Sequence, residues 1–109
     1  LAASDIGGEV PKLVENARIM GEKFLDHLHQ FAAEEEMITA VRGRGLMLAF
    51  SMPDAEIRNR FWKSCWEAGL LVIRCGERSI RLRPVLDVKR EIIDEVMTRM
   101  REALRRIRA

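Results

Sequence analysis

Residues 38–52 read Ile38-Thr39-Ala40-Val41-Arg42-Gly43-Arg44-Gly45-Leu46-Met47-Leu48-Ala49-Phe50-Ser51-Met52. Gly43 and Gly45 mark a tight turn or a bulge between two extended pieces, since glycine inside a strand pattern weakens pairing and allows close backbone approach. Beyond the glycines, Leu46, Leu48 and Phe50 point one way and Met47 and Ala49 the other. Both sets are apolar. An antiparallel sheet with one wet face alternates cleanly between apolar and polar residues. This one does not, so its second face needs a cover, either the chain's own helices or a neighbouring domain.

Moving outward, Pro53-Asp54 stops the strand and opens a helix. Ile57, Phe61, Cys65 and Ala68 form its buried stripe, with Trp62 and Trp66 at the flanks. Gly69 stands where a helix C-cap glycine belongs. Leu70–Arg74 reads as a strand, Cys75–Arg78 as a turn, and Ser79–Arg83 as a strand ended by Pro84; the simple reading is a hairpin. Upstream, Leu13, Ala17, Met20, Phe24, Leu28 and Phe31 give one helical stripe within Glu9–Glu35. Pro11 fits the first turn, where a missing N–H costs nothing. Residues 1–8 form a lead-in or linker.

Downstream, Asp87 caps a last helix from about Lys89 to Arg108. Ile92, Val96, Met100, Ala103 and Ile107 run along one face, with Ile93, Met97 and Leu104 beside them. Acids come early in it and arginines late, as the helix dipole favours. The predicted fold is α+β: a small, mostly antiparallel sheet of three to four strands covered by three helices, in the order α-β-β-α-β-β-α.

The chain's 109 residues suit one domain, residues 9–109, with 48% hydrophobic and 33% charged residues. No apolar run approaches the length of a membrane span, which needs about 20 residues. A net charge of +2 gives no electrostatic case for nucleic acid, and the late arginine run reads as a solvated helix face. Cys65 and Cys75 form no metal-binding pattern and read as reduced thiols of a cytoplasmic protein. His27 and His29 sit two apart, on different faces of a helix, and no metal site is expected.

No Gly-x-Ser-x-Gly elbow, phosphate-binding glycine loop or zinc-binding His-Glu-x-x-His is present. The stretch that carries chemistry is Ser79-Ile80-Arg81-Leu82-Arg83-Pro84. A period of two puts Arg81 and Arg83 on one face, and Ile80 and Leu82 on the other. Two guanidinium groups at a strand end make a ready carboxylate receptor, since the planar fork holds both oxygens at once. The plainer alternative is an exposed strand face paired with Glu77 or Asp87.

Taken together, Val41-Arg42-Gly43-Arg44-Gly45-Leu46-Met47, then Gly69-Leu70-Leu71-Val72, then Ile80-Arg81-Leu82-Arg83-Pro84 and a final amphipathic helix resemble the C-terminal small domain of class-III aminotransferases. These are fold-type-I enzymes that use pyridoxal phosphate. The Arg-x-Arg-Pro pattern is most similar to L-lysine 6-aminotransferases, although many members have Pro-Pro-Leu at Pro84-Val85-Leu86. The resemblance implies that Arg81 receives the α-carboxylate of the amino acid or 2-oxoglutarate; it gives Arg83 no role, and support of Arg81 is expected of it only from its place on the same strand face. It implies no catalytic residue in this chain, because the cofactor lysine belongs to the large domain and Lys12, Lys23, Lys63 and Lys89 do not match it. The fragment alone is then expected to bind no cofactor and to be inactive, the full-length enzyme working as a homodimer. A free-standing α+β binding or dimerisation module is the alternative.

Overall fold

The structure, a computed structural model, describes residues 9–84 and 88–108. Its elements are α1 (Glu9–Glu34), β1 (Thr39–Arg44), β2 (Met47–Ser51), α2 (Ala55–Glu67), β3 (Ile73–Cys75), β4 (Ser79–Leu82) and α3 (Arg90–Arg108). The predicted order α-β-β-α-β-β-α is therefore found. The strands form one sheet in the order β1-β2-β4-β3, and all three pairings are antiparallel.

Local chemistry sets the element ends. Gly45 takes a φ of +58° in the turn between β1 and β2, a conformation open to glycine at little cost. The Asp54 carboxylate caps α2 by accepting from the Ile57 N–H at 2.8 Å. Gly69, at φ +80°, closes the same helix, and the Leu70 N–H donates back to the Cys65 carbonyl at 2.8 Å. In α1, Gly21 lies against the β1–β2 turn so closely that a Cβ would collide with the Gly45 carbonyl oxygen. Close docking of the helix on the hairpin thus offsets glycine's poor helix propensity.

The core joins one face of the sheet to the helices. Leu48, Phe50, Ile80 and Leu82 are buried from the sheet, with Phe24, Leu28 and Phe31 from α1 and Phe61 and Cys65 from α2. Phe50 stands edge-on to Phe31 and Phe61, at centroid separations of 6.4 and 6.0 Å. The Ser64 hydroxyl donates to the Ala103 carbonyl at 2.9 Å and ties α2 to α3. Buried Arg58 donates to the Cys75 and Ser79 carbonyls at 3.1 and 2.9 Å, holding the β3–β4 hairpin over α2.

Three sequence expectations need correction. The strand expected over Leu70–Arg74 begins only at Ile73, because Ile73 faces Arg81 and β4 ends one residue later, at Leu82. Leu70 and Leu71 therefore fall beyond the end of β4, while Val72, opposite Leu82 in that register, makes no ladder pair and has its carbonyl taken by the Trp62 indole N–H at 3.0 Å. Cys75 pairs with Ser79, so the turn is shorter than Cys75–Arg78. In α3 the buried stripe is Ile93, Met97, Met100, Ala103 and Leu104; Ile92 is 49% exposed. Packing turns the helix so that the residues expected beside the stripe become its centre. Residues 1–8 and the expected cap Asp87 lie outside the described residues.

Candidate functional site

The sheet has a second face, and register defines it. Ile73 pairs with Arg81, Arg81 with Ala49, and Ala49 with Arg42, giving one row across all four strands. Next to it runs a polar row, Cys75, Ser79, Ser51 and Thr39, from the same pairings. Successive side chains alternate faces, so these rows lie opposite buried Phe50 and Ile80. This outer face is largely uncovered: Met47 is 54% and Ile73 49% exposed, and Arg81 is exposed. The helices cover one side of the sheet, and the cover expected for the second face is not supplied by the described residues.

No strand contains Asp, Glu or Lys. Of the four strand arginines, Arg44 is exposed opposite Met47 on the outer face, without a side-chain partner among the described residues, and Arg74 lies over the Trp62 ring, 4.2 Å from its centroid. Arg42 is held by hydrogen bonds, its Nη1 donating to the Ala40 carbonyl at 2.8 Å and the Ser51 hydroxyl at 3.2 Å, and its Nη2 to the Ser79 hydroxyl at 3.1 Å. The two serine oxygens are themselves 2.9 Å apart. Arg81 has no such engagement: among the described residues, no side chain or carbonyl bonds to its guanidinium. Glu77 does not pair with it, and Asp87 lies outside the described residues. Arg81 is thus an exposed cation on the outer sheet face, without a side-chain or carbonyl partner among the described residues.

Arg83 follows the last ladder pair, Leu48 with Leu82. It is exposed and stands at the rim of an apolar hollow of about 160 Å³, lined also by Leu70, Leu71, Leu82, Pro84 and Ile92. Arg81 lies within the ladder and Arg83 beyond it. The aromatic Trp62 and Trp66, expected at the flanks of α2, stack with centroids 6.4 Å apart, and Trp66 is 59% exposed. His27 faces Asp94 at 3.6 Å across α1 and α3. Cys65 and Cys75 are free thiols, and desolvation pushes the buried Cys65 thiol up to about 12. Among the described residues no group of three or more His, Cys, Asp and Glu side chains gathers to hold a metal ion.

Sequence reasoning missed Arg42, which it took as part of a glycine turn. The backbone places it. A register shift between Thr39 and Arg42, with Ala40 at φ +51°, sets Arg42 opposite Ala49. The left-handed conformation is costly for alanine and gave no compositional signal.

Residues 8–104 match the family model described as aminotransferase class-III. The chain belongs to the class-III aminotransferase family. Over 79 residues it is 37% identical to the L-lysine-epsilon aminotransferase of Streptomyces clavuligerus, covering 71% of this chain and 17% of that protein. It superposes on the solved lysine aminotransferase of Mycobacterium tuberculosis with a TM-score of 0.86 at 32% identity, over 90% of this chain and 23% of that one. The human mitochondrial 4-aminobutyrate aminotransferase is 37% identical over 75 residues, covering 68% of this chain and 15% of its own length. The likeness to lysine aminotransferases read from the sequence is thus found, and this class-III chain spans about a fifth of the length of these relatives.

The family's cofactor, pyridoxal phosphate, needs a lysine to hold it and an acid beside its ring nitrogen. The residues of this class-III chain do not fit it. Lys12 and Lys23 lie on α1, Lys63 on α2 and Lys89 just before α3, and the strands around Arg81 bear neither lysine nor acid.

Proposed function

We propose that this chain is the C-terminal small domain, residues 9–109, of a pyridoxal-phosphate-dependent aminotransferase. The full-length enzyme transfers an amino group, by its relatives' names the 6-amino group of L-lysine, to 2-oxoglutarate. In this reading the domain contributes Arg81 as the receptor of the substrate carboxylate, with Arg83 as a supporting charge. The observation that carries the reading is Arg81 itself: an exposed guanidinium in mid-ladder, unpaired among the described residues, in a class-III chain.

The cofactor and its lysine are supplied by the rest of the protein, so the 109 residues alone neither bind it nor transaminate. The uncovered outer face, with Met47 and Ile73 exposed beside Arg81, is the surface on which the cofactor-bearing part rests. Closure of that part over Arg81 orients the carboxylate and removes water around it, which strengthens the ion pair. The partners are an amino acid, 2-oxoglutarate and a second copy in a homodimer. The free thiols Cys65 and Cys75 support a reducing, cytoplasmic setting.

The test is steady-state kinetics of the full-length enzyme. Arg81→Ala is expected to raise KM for 2-oxoglutarate by about 10- to 100-fold, the worth of one charged, forked hydrogen-bond set. Arg81→Lys restores little of it, because an ammonium has no fork. Wild-type kinetics in Arg81→Ala would remove Arg81 from the reaction.

A further inference from the structure

Arg42 is held by three neutral acceptors: the Ala40 carbonyl and the hydroxyls of Ser51 and Ser79. None of them requires a charge. A neutral amide donor would serve the two hydroxyls, which already bond each other at 2.9 Å. Yet the position carries a full positive charge, on a face whose strands have no acid. The charge lies close to Arg81. Ser79, which accepts from Arg42 Nη2, is two residues before Arg81 on the same face of β4, a step of about 7 Å. In the ladder Arg42 and Arg81 stand on either side of Ala49, about 10 Å apart at the backbone, and like charges with no strand acid between them repel. A third observation bears on the arrangement: the bulge that places Arg42 keeps Ala40 at φ +51°, and the Arg42 side chain bonds the carbonyl of that same strained residue. Backbone strain of this kind gathers where geometry serves a site.

We infer that Arg42 is a fixed second cation of the Arg81 site, a positioning residue that turns the Arg81 guanidinium away from the sheet and adds to its attraction for a carboxylate. The inference rests on the reading of Arg81 given above. Arg42 does not touch the substrate. Its three bonds hold it against the serines, and from there its field repels the exposed guanidinium of Arg81 outward and draws in the anion. When a carboxylate binds, it relieves the repulsion between the two arginines, so the bound state gains from both charges.

The experiment uses the full-length holoenzyme and 2-oxoglutarate, with KM and kcat measured over a range of ionic strength and thermal midpoints recorded alongside. Arg42→Gln, which keeps amide donors and loses the charge, is expected to raise KM by about three- to tenfold at low salt. Its kcat stays within about twofold and its KM varies less with salt than that of the wild type, because one of the two screened charges is gone. Arg42→Lys, charged but without the fork, is expected to keep KM within about twofold of wild type, since charge rather than bonding geometry is what counts. An Arg42→Gln enzyme with wild-type KM and salt dependence would overturn the inference. So would one whose kcat and thermal midpoint drop while the salt dependence of KM is unchanged, since Arg42 would then be a hydrogen-bonding staple alone. Should Arg42→Gln not fold, Arg42→Lys decides: a KM near wild type supports the inference and a tenfold rise sinks it. Arg81→Gln is run in parallel. If it raises KM while Arg42→Gln does not, only the role of Arg42 falls; if it leaves KM unchanged, the reading of Arg81 falls first.

Discussion

The two faces of this four-stranded sheet are built from alternate residues of the same strands and have opposite fates. On the inner face, Leu48, Phe50, Ile80 and Leu82 are buried among the helices. On the outer face, Met47 and Ile73 are about half exposed, and Arg81 meets no partner among the described residues. The inner face is complete as it stands. The outer face leaves apolar side chains half exposed beside an arginine that has no partner among the described residues. On the proposed reading one face answers to the fold and the other to the site, and a substitution should register in stability or in activity according to the face it strikes.

The largest separation is expected between Phe50 and Met47, three residues apart on β2. Phe50→Ala removes a ring packed edge-on between Phe31 and Phe61 and should lower the stability of the 109-residue chain by about 3–5 kcal/mol. Met47→Ser strips an exposed outer-face side chain and should change it by less than about 0.5 kcal/mol. Urea unfolding of both variants checks this. A comparable loss in Met47→Ser would mean that the outer face is already packed, and the contrast would collapse.

Much of the fold was legible because periodicity and capping chemistry agree locally. The Gly43–Gly45 turn, the Asp54 cap and Gly69 each mark a boundary within a residue or two. What failed were features set by distant partners. The shortening of β3 to Ile73–Cys75 follows from the end of β4, which leaves Leu70 and Leu71 unpaired, and from the Trp62 indole, which takes the Val72 carbonyl, and the rotation of α3 that exposes Ile92 follows from packing on α2. Neither length nor facing is written in the segment itself. At the candidate site, the exposed outer-face placement of Arg81 was legible because period two and the following Pro84 define its face. Arg42 was not, since its position depends on a bulge at Ala40, a residue whose left-handed φ nothing in the composition announces.

A second contrast sets a charge on the inner side against one on the outer. Arg58 is buried and donates to the Cys75 and Ser79 carbonyls; Arg81 is exposed. Arg58→Ala leaves two carbonyls without their donor and should cost about 1.5–3 kcal/mol. Arg81→Ala should leave stability within about 0.5 kcal/mol of wild type while damaging KM in the full-length enzyme. Thermal unfolding beside kinetics reads both. Equal losses of stability would place the two arginines in the same structural class and leave no charge reserved for substrate.

The finest test uses the thiols. Cys65 packs on the inner side at 0% exposure, and loss of solvent lifts its folded-state value from the ordinary 9.0 to about 12. Cys75 lies at the hairpin and is only partly covered. The raised value means that the folded chain keeps the Cys65 proton where the unfolded chain has lost it. The stabilisation is therefore full below pH 9 and is lost as the pH climbs from about 9 toward about 12. Cys65→Val keeps the volume and has no proton to lose, so its stability should fall less steeply over that interval. A thiol reagent at neutral pH should label Cys75 in the native chain and leave Cys65 untouched, because only the thiolate reacts and burial withholds it. If Cys65→Val and wild type lose stability in parallel between pH 9 and 12, the core beneath the sheet admits water at Cys65. The inner face would then be nearer in kind to the outer than its packing indicates.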